Sequence, residues 1–252
     1  MNKKNTSILK SIGIIPARYA STRFPGKPLA LIGNKPMVLR VYEQAQKSML
    51  SKVIVATDNQ QIRSTVEGAG GEVIMTPANL QSGTDRCFDA YEKLGENFDI
   101  LINIQGDEPF VNPENIDLLL MKLAKSPASI GTLYTPFSEM SEVTSSNRVK
   151  VTTDINGLAL SFSRSVMPFN KIKLKPEDYK KHLGVYGFKT NVINQLKTLK
   201  PSFLELAESL EQLRWLENGF DIVLAYCEEE GIAIDTPQDL KKAEEYYKKL
   251  TH

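Results

Sequence analysis

The 252-residue chain is 41% hydrophobic and 24% charged, which is enough apolar material to bury a large core and argues against a disordered protein. Its 31 lysines and arginines nearly balance 30 aspartates and glutamates, so a net charge of +1 argues against steering of the whole chain toward nucleic acid. Two distant cysteines without C-x-x-C spacing indicate neither a disulfide framework nor a thiolate zinc site.

The chain shows neither a secretory signal nor a membrane span. Its first residues contain a lysine pair but lack a long apolar region and a small-residue cleavage site. No later run approaches the ~20 apolar residues that a membrane helix needs. We therefore expect a soluble protein of the reducing cytoplasm without membrane insertion, with Cys87 and Cys227 as core thiols.

Short β-branched runs alternate with helical stretches in the first half of the chain. The runs lack polar alternation, which is typical of a parallel sheet covered by helices on both faces. The predicted strands are 12–15, 52–56, 72–75 and 99–104. The predicted helices are 37–48, 59–69, 84–94 and 114–125, the last opened by Asn112 as cap and Pro113 at its first position.

The pattern changes in the middle of the chain. Residues 149–153 and 158–163 are β-rich and flank Asn156-Gly157, a pair typical of a hairpin turn. Residues 185–189 add a further candidate strand. This part is predicted to be an antiparallel insertion.

Helical signals return toward the end of the chain. A helix over 203–217 is predicted from a capping box at Ser202 and Glu205, with Leu206, Leu210 and Leu213 on one face. A strand over 222–227 follows, and Thr236 with Pro237 opens a final helix.

These elements predict an α/β fold with a doubly wound, mixed but mainly parallel sheet. The predicted regions are a nucleotide-binding part over 1–136, an inserted β-rich part over 137–200 and a return to the α/β domain over 201–252. No repeat at a fixed period is visible.

A basic loop follows the first predicted strand. Residues 16–28 contain Arg18, Arg23, Lys27 and the turn residue Gly26. Guanidinium forks and an ammonium group suit triphosphate oxygens at the carboxyl end of a strand. The loop is not a Walker A motif, because Pro28 replaces the magnesium-binding hydroxyl residue. A solvated surface loop is the alternative.

Two aspartates are candidates for a magnesium site. Asp107 follows the fourth predicted strand, and Asp235 stands at the entrance of the last helix. Mg²⁺ prefers one or two carboxylates and otherwise keeps water and phosphate oxygens. Each aspartate alone is more typical of a turn or of a helix start, so the metal site requires that they converge on one cleft.

Histidine is nearly absent, with His182 and His252 the two examples, and no G-x-S-x-G motif occurs. Most zinc sites and histidine-based nucleophile triads are therefore excluded. The composition favours an enzyme that works by charge and positioning while a substrate supplies the nucleophile, as in nucleotidyl transfer.

Taken together, the motifs closely resemble those of the 3-deoxy-manno-octulosonate cytidylyltransferases, which activate the acid sugar Kdo for lipopolysaccharide synthesis. The resemblance spans nearly the whole chain. It is carried by IIPARYASTRFPGKPL, VATD, QSGTDR, NIQGDEPF, FSR, HLGVYGF, LEQLRWLENG and DTPQDL.

The resemblance implies a nucleotide-diphospho-sugar transferase-like fold, a homodimer formed largely through the inserted segment, and the conversion of CTP and Kdo to CMP-Kdo and diphosphate. The implied catalytic residues are Arg18, Lys27, Asp107 and Asp235, the two aspartates as ligands of the cofactor Mg²⁺. The implied CTP-binding residues are Pro16, Ala17, Arg18, Arg23, Lys27, Ser82, Gly83 and Arg86. The implied sugar-binding residues are Gln105, Arg164, His182, Tyr186, Glu211 and Gln212.

Some features leave alternatives open. The run 228–230 of three glutamates either faces the metal or is a surface run. Alternative substrates are 8-amino-Kdo and a sialic acid, and a protein that binds nucleotide without turnover is the non-enzyme alternative. Without the resemblance, Arg164, His182 and Glu211 are more typical of structural or surface positions.

Overall fold

The computed structural model describes residues 9–20 and 24–251. Its strands are β1 (Ser11–Ala17), β2 (Leu31–Ile32), β3 (Lys35–Pro36), β4 (Lys52–Thr57), β5 (Val73–Met75), β6 (Ile100–Asn103), β7 (Ile130–Pro136), β8 (Lys150–Thr153), β9 (Ala159–Ser163), β10 (Lys180–Lys189) and β11 (Ile222–Tyr226). Its α-helices are α1 (Met37–Ala45), α2 (Gln60–Gly68), α3 (Gly83–Leu94), α4 (Pro113–Lys125), α5 (Met140–Thr144), α6 (Ile193–Thr198), α7 (Phe203–Glu208), α8 (Gln212–Glu217) and α9 (Pro237–Thr251).

Nine of the strands in the described part of the chain form one sheet. Seven follow the order β11-β7-β10-β6-β1-β4-β5, and the hairpin of β8 and β9 extends from β10. Neighbours β6, β1, β4 and β5 pair in parallel, as do β11 and β7, whereas β10 runs antiparallel between β7 and β6. The predicted mixed, mainly parallel α/β fold is confirmed. The three predicted regions stay predictions.

Helices cover both faces of the sheet because the central strands are apolar on both sides. Ile15 of β1 faces one core, into which α1, α2 and α4 insert side chains such as Val41, Ile62 and Leu119. Ile14 faces the other core, which α3, α6 and α8 complete. Cys87 and Cys227 are both buried, as predicted.

Side-chain caps are present at the starts of α2, α4 and α9, and those at Asn112 and Thr236 were predicted from the sequence. The side chain of Asn59 accepts hydrogen bonds from the amides of Gln61 and Ile62 at 2.9 and 3.1 Å. Asn112 caps α4, whose first residue is proline. Thr236 and Asp239 exchange hydrogen bonds at the start of α9, the carboxylate accepting from the Thr236 amide at 2.9 Å.

The continuous helix predicted over 203–217 is wrong. The capping box of Ser202 and Glu205 opens α7, but Ser209 adopts a left-handed conformation at φ 52° and separates α7 from α8. At the break, the main-chain carbonyl of Glu208 accepts from Nε of Arg164 at 2.7 Å, so a carbonyl that the helix end leaves unpaired has a partner. The leucine stripe is divided: Leu206 is 69% exposed, while Leu210 and Leu213 are buried.

Two strands differ from the sequence prediction. Strand β10 begins at Lys180 rather than at 185, and its pairing with β7 shifts register between Leu183 and Tyr186. Strand β7 was not among the predicted strands. The Asn156-Gly157 hairpin is confirmed, with β8 and β9 antiparallel on either side of it. In the described ranges, no helix is both long and apolar enough to cross a bilayer.

Candidate active site

A cleft of about 220 Å³ lies at the carboxyl ends of β1 and β6, where ligands of open α/β sheets bind. Gly106 allows the loops after these strands to meet, because a Cβ at this position would lie 2.6 Å from the carbonyl oxygen of Pro16. The cleft is lined by Pro16, Ala17, Arg18, Lys27, Pro28, Leu80, Gln81, Ser82, Gly83, Arg86, Gln105, Gly106, Asp107 and Asp235.

Lys27 joins the two aspartates that the sequence places far apart. Its Nζ lies 2.8 Å from Oδ2 of Asp107 and 3.4 Å from Oδ1 of Asp235. It also donates to the carbonyl of Ile234 at 2.8 Å, and the amide of Ile234 donates to the carbonyl of Asp107 at 2.9 Å. The two carboxylates therefore converge on one cationic group, as the metal hypothesis requires.

The donor set fits a hard divalent cation that is shared with a nucleotide. Over the described residues, no cluster of three or more histidine, cysteine, aspartate or glutamate side chains could hold a metal ion. Two converging carboxylates are what Mg²⁺ uses when phosphates and water complete its shell. The position of the Lys27 ammonium between Asp107 and Asp235 shows that positive charge is accommodated there.

The amino terminus of α3 forms another wall of the cleft. Ser82 caps this helix in a capping box with Asp85, and Gly83 lies against the ring of Pro16, where a Cβ would be 3.3 Å from Cγ. The helix dipole therefore presents positive potential to the cleft. This arrangement suits an anionic ligand.

The predicted cations of the cleft have different environments. Arg18 is exposed at the lining. Arg86 is buried, and its guanidinium donates to Oδ2 of Asp58 at 3.1 Å and also bonds the hydroxyl of Thr76. It therefore shapes the wall through fixed partners. Arg23 lies outside the described residues.

A second cavity of about 340 Å³ adjoins the cleft through Gln105, which lines both. Four of the six predicted sugar-binding residues line it, namely Gln105, His182, Tyr186 and Gln212. The remaining lining residues are Asn147, Arg148, Val149, Lys181, Gly184, Leu210 and Glu230. Gln105 is held in place by a 2.7 Å hydrogen bond from Nε2 to the carbonyl of Gly184.

His182 is enclosed by aromatic rings. Its ring centroid lies 4.9 Å from that of Phe162 and 5.5 Å from that of Tyr186, and Nε2 lies 3.0 Å from the hydroxyl of Thr132. Burial lowers the pKa of His182 to about 3, so the imidazole is neutral at neutral pH. A neutral ring suits hydrogen bonding to sugar hydroxyls.

Two buried polar groups of this cavity lack hydrogen-bond partners among the described residues. They are the hydroxyl of Tyr186 and Nε2 of Gln212. Burial also raises the pKa of Tyr186 well above its ordinary value, so the phenol keeps its proton. Unsatisfied buried polar groups are costly, and a polar ligand would satisfy both.

The structure does not bring Arg164 and Glu211 into the lining of either cavity. The guanidinium of Arg164 donates to main-chain carbonyls of Glu208 at 2.7 Å, Ser146 at 3.0 Å and Ser209 at 3.4 Å. Glu211 accepts from the hydroxyl of Thr84 at 2.6 Å. Burial raises the pKa of Glu211, and hydrogen bonds from Thr84 and Ser82 oppose that rise.

Charged residues next to these cavities were not predicted from the sequence. Arg148 and Lys181 line the second cavity, and the position of Lys181 directly before His182 was the available signal. Glu108 lies beside Asp107, and its pKa is raised to about 8 by burial and by the charges of Asp107 and Glu230. The run 228–230 does not lie wholly in solvent, since Glu230 faces Lys181.

A family described as "Cytidylyltransferase" matches residues 12–222. A 3-deoxy-manno-octulosonate cytidylyltransferase from Parabacteroides distasonis is 49% identical over 245 residues, covering 94% of this chain and 97% of its own. One from Bacteroides thetaiotaomicron is 47% identical over 248 residues, covering 95% and 99%. The chain belongs to this cytidylyltransferase family.

Solved structures agree with this assignment. A structure of CMP:2-keto-3-deoxy-manno-octonic acid synthetase complexed with CTP superimposes with a TM-score of 0.91 at 37% identity, covering 96% of this chain and 99% of that chain. A glucose-1-phosphate thymidylyltransferase structure from Bacillus anthracis, at 18% identity and a TM-score of 0.63, shares the fold. This cytidylyltransferase is therefore a nucleotidyltransferase enzyme, and the comparisons do not favour the alternative sugars.

Proposed function

We propose that this cytidylyltransferase transfers the cytidylyl group of CTP to Kdo, forming CMP-Kdo and diphosphate. The observation that carries the proposal is the convergence of Lys27, Asp107 and Asp235 in a cleft that adjoins a polar, aromatic cavity through Gln105. The cleft offers charge for a nucleotide triphosphate, and the cavity offers hydrogen bonds for a sugar. Family membership supports the choice of CTP and Kdo.

Arg18, Lys27 and Arg23 would hold the triphosphate. Arg18 and Lys27 line the cleft, and their positive charges would offset negative charge that grows on the phosphate oxygens and on the leaving diphosphate. The cytosine and ribose would lie against the wall formed by Pro16, Ala17, Ser82, Gly83 and Arg86. The amino terminus of α3 in that wall adds positive potential that favours the nearby triphosphate.

Asp107 and Asp235 would hold Mg²⁺ together with the phosphates. When bound, the ion would supply further positive charge at the reacting phosphate. The ammonium group of Lys27 would stay beside the two carboxylates and compensate part of their charge whether or not the metal is bound.

The sugar would bind in the second cavity. Gln105, His182, Tyr186 and Gln212 line it and would orient the sugar, and its anomeric hydroxyl would attack the α-phosphorus of CTP. Glu211 and Arg164 would act through neighbouring groups, Glu211 on Thr84 and Arg164 on the loop at Ser209. Because the substrate supplies the nucleophile, the protein needs none of its own.

We further propose a cytoplasmic homodimer that serves lipopolysaccharide synthesis, with residues 137–200 at the dimer contact. The inserted region exposes apolar side chains, with Phe169 at 87% and Ile172 at 80% exposure. Such exposure is typical of surfaces that a partner covers. Light scattering after gel filtration would give the mass of two chains if the proposal holds and of one chain if it does not.

Diphosphate release tests the proposed function. The purified chain is incubated with CTP and Mg²⁺ and with Kdo, 8-amino-Kdo, a sialic acid or no sugar. We expect rapid release with Kdo, and at least about tenfold lower kcat/KM with the sialic acid. Binding of CTP without diphosphate release in any mixture would instead favour a nucleotide-binding protein without turnover.

A further inference from the structure

We propose that Lys150 is a positioning residue for the sugar: its ammonium group fixes residues 145–149, which form one wall of the second cavity. This inference rests on the proposed function, which places Kdo in that cavity. It assigns a role to a buried charge that lines neither the cleft nor the second cavity.

Lys150 is the first residue of β8 and has no exposed surface. A lysine is almost never buried completely unless its charge is compensated, because burial removes the ammonium group from water. Its Nζ donates to three main-chain carbonyls, those of Ser145 at 2.9 Å, Arg148 at 2.7 Å and Arg164 at 2.5 Å. An ammonium group has three N–H donors, so each donor has an acceptor and the group is held in one place.

The arrangement of acceptors requires the charged form of Lys150. A neutral amine has two N–H donors, whereas Nζ meets three carbonyls. Burial lowers the pKa of Lys150, and the nearby carboxylate of Glu208 opposes that shift. Arginine could not replace this lysine, because its planar guanidinium does not converge on three carbonyls around one nitrogen.

The carbonyls of Ser145 and Arg148 are the two ends of a tight turn. The amide of Arg148 donates to the carbonyl of Ser145 at 3.2 Å, which closes the turn. Lys150 binds the carbonyl at each end, so the turn cannot open without losing bonds to a buried charge. Asn147 and Arg148 from this turn, and Val149 after it, line the second cavity. The position of Lys150 therefore sets the position of that wall.

The same wall is connected to His182. The carbonyl of Val149 accepts from the amide of His182 at 2.9 Å. His182 lines the second cavity, which shares Gln105 with the nucleotide cleft. Displacement of residues 145–149 would therefore move both the wall and one of the groups proposed to orient the sugar beside CTP.

Arg164 extends this scaffold to another part of the lining. Its carbonyl accepts from Lys150, and its guanidinium donates to the carbonyl of Ser146 at 3.0 Å and to that of Ser209 at 3.4 Å. Ser209 directly precedes Leu210, which lines the second cavity. Two cations, Lys150 and Arg164, therefore tie two segments of the lining together through main-chain carbonyls.

The nucleotide cleft is separate from this scaffold. Among the described residues, none that lines the cleft belongs to 145–149, and Lys27, Asp107 and Asp235 are held by contacts of their own. Loss of the Lys150 ammonium should therefore affect the sugar and spare CTP. A lysine with a purely structural role would instead lower stability without a preference for one substrate.

The test measures diphosphate release by Lys150→Met, Lys150→Ala and the unaltered enzyme, with each substrate varied in turn. We expect both variants to raise the KM for Kdo about tenfold or more, because a displaced wall misplaces the sugar. The KM for CTP should change less than about twofold. An unchanged KM for Kdo, or equal increases for both substrates, would overturn the positioning role.

Chemical rescue tests the three hydrogen bonds directly. Lys150→Ala removes the equivalent of propylammonium from a buried site, so added propylammonium should bring the KM for Kdo back to within about threefold of the unaltered value. Propan-1-ol has nearly the same size but lacks the charge and two of the three donors, so it should not rescue. Equal rescue by the two compounds, or rescue by neither, would overturn the assigned bonds.

Lys189→Met is the matched control. Nζ of Lys189 also donates to a main-chain carbonyl, that of Ser126 at 2.6 Å, but Lys189 is the last residue of β10 and lines neither the cleft nor the second cavity. Its substitution should leave the KM for Kdo unchanged. Failure of both Lys150 variants to fold, where Lys189→Met folds, would make Lys150 a residue of the core fold and would overturn the proposal.

Failure of the proposed function gives a different result. Absence of turnover by the unaltered chain with Kdo would overturn the proposed function and the positioning role together. Normal turnover by the unaltered chain, with an unchanged KM for Kdo in both Lys150 variants, would overturn the positioning role alone.

Discussion

At the scale of single residues, Lys27 governs the electrostatics of the cleft. It is 15% exposed and lies between two carboxylates that would otherwise repel each other. The ammonium group therefore compensates the charge of both carboxylates, and the proposed function gives it a second role as a ligand of the phosphates.

Lys27→Met should reduce kcat/KM for CTP by at least about 100-fold, because a cation aimed at developing phosphate charge is removed. Diphosphate release under limiting CTP measures this ratio. Lys35→Met is the control, since Lys35 pairs with Glu43 on an exposed surface. An Lys27→Met enzyme with kcat/KM close to that of the control would show that Lys27 is a structural cation.

His182 makes stability depend on pH. Its pKa in the folded chain is about 3, below its ordinary value of 6.5, so the unfolded chain takes up the proton first as the pH falls. Stability from the neutral imidazole is complete above pH 6.5 and is lost progressively toward pH 3. Between pH 7 and pH 5, the free energy of unfolding of the unaltered chain should therefore fall by up to about 2 kcal/mol more than that of the His182→Gln variant. Urea titrations at the two pH values measure this, and parallel losses in both proteins would contradict it.

At the scale of elements, the break between α7 and α8 decides which leucines reach the core. Ser209 holds a left-handed conformation that costs a non-glycine residue free energy. The gain is the position of Leu210 and Leu213 in the core, where Leu210 also lines the second cavity. The same break places the carbonyls of Glu208 and Ser209 at Arg164.

Ser209→Gly should stabilise the fold by roughly 0.5 kcal/mol, because glycine adopts the left-handed conformation without the Cβ penalty. Ser64→Gly, within α2, is the matched control and should destabilise by about 0.5 to 1 kcal/mol. Urea midpoints at constant m-value report both changes. Destabilisation by Ser209→Gly would show that the serine side chain contributes more than its conformation costs.

At the scale of the whole molecule, the sheet brings together segments that are distant along the chain. The loops after β1 and β6 meet where Gly106 approaches the carbonyl of Pro16, and the segment before α9 closes over them through Ile234. The active-site geometry is therefore a property of the complete α/β domain.

Gly106→Ala should destabilise the fold by about 1 to 3 kcal/mol and weaken CTP binding, because its Cβ would lie 2.6 Å from a main-chain oxygen. Gly68→Ala is the control, since its Cβ would meet nothing within 4 Å at the end of α2. Thermal unfolding with and without CTP measures both effects. Equal behaviour of the two variants would show that the loops at Pro16 and Gly106 separate freely.

Much of this architecture could be predicted from sequence because local signals agree with the fold. Apolar runs identified the central strands, and Asn112 identified a helix start, where its side chain accepts from the amide of Glu114. The break at Ser209 was not predicted, because no glycine or proline marks it and the partner of the Glu208 carbonyl, Arg164, is distant along the chain. Strand β10 was placed too late, since Gly184 interrupts its pattern at the register shift.

The candidate site was predictable as a set of residue types but not as a geometry. The sequence shows that Asp107 and Asp235 carry charge at element ends, and only the fold brings both to Lys27. Four ion pairs link Arg148, Lys181, Glu142 and Glu230. No sequence motif predicts these pairs, since the four residues come from separate segments of the chain.

The most direct test of the central claim, that two distant aspartates form one magnesium and nucleotide site, is the Mg²⁺ dependence of diphosphate release from CTP and Kdo. Asp107→Asn and Asp235→Asn should each lower kcat at least about 100-fold and raise the Mg²⁺ concentration needed for half-maximal rate. Asp221→Asn, an exposed residue before β11, should behave as the unaltered enzyme. An Asp235→Asn enzyme with unaltered turnover and Mg²⁺ dependence would contradict the account.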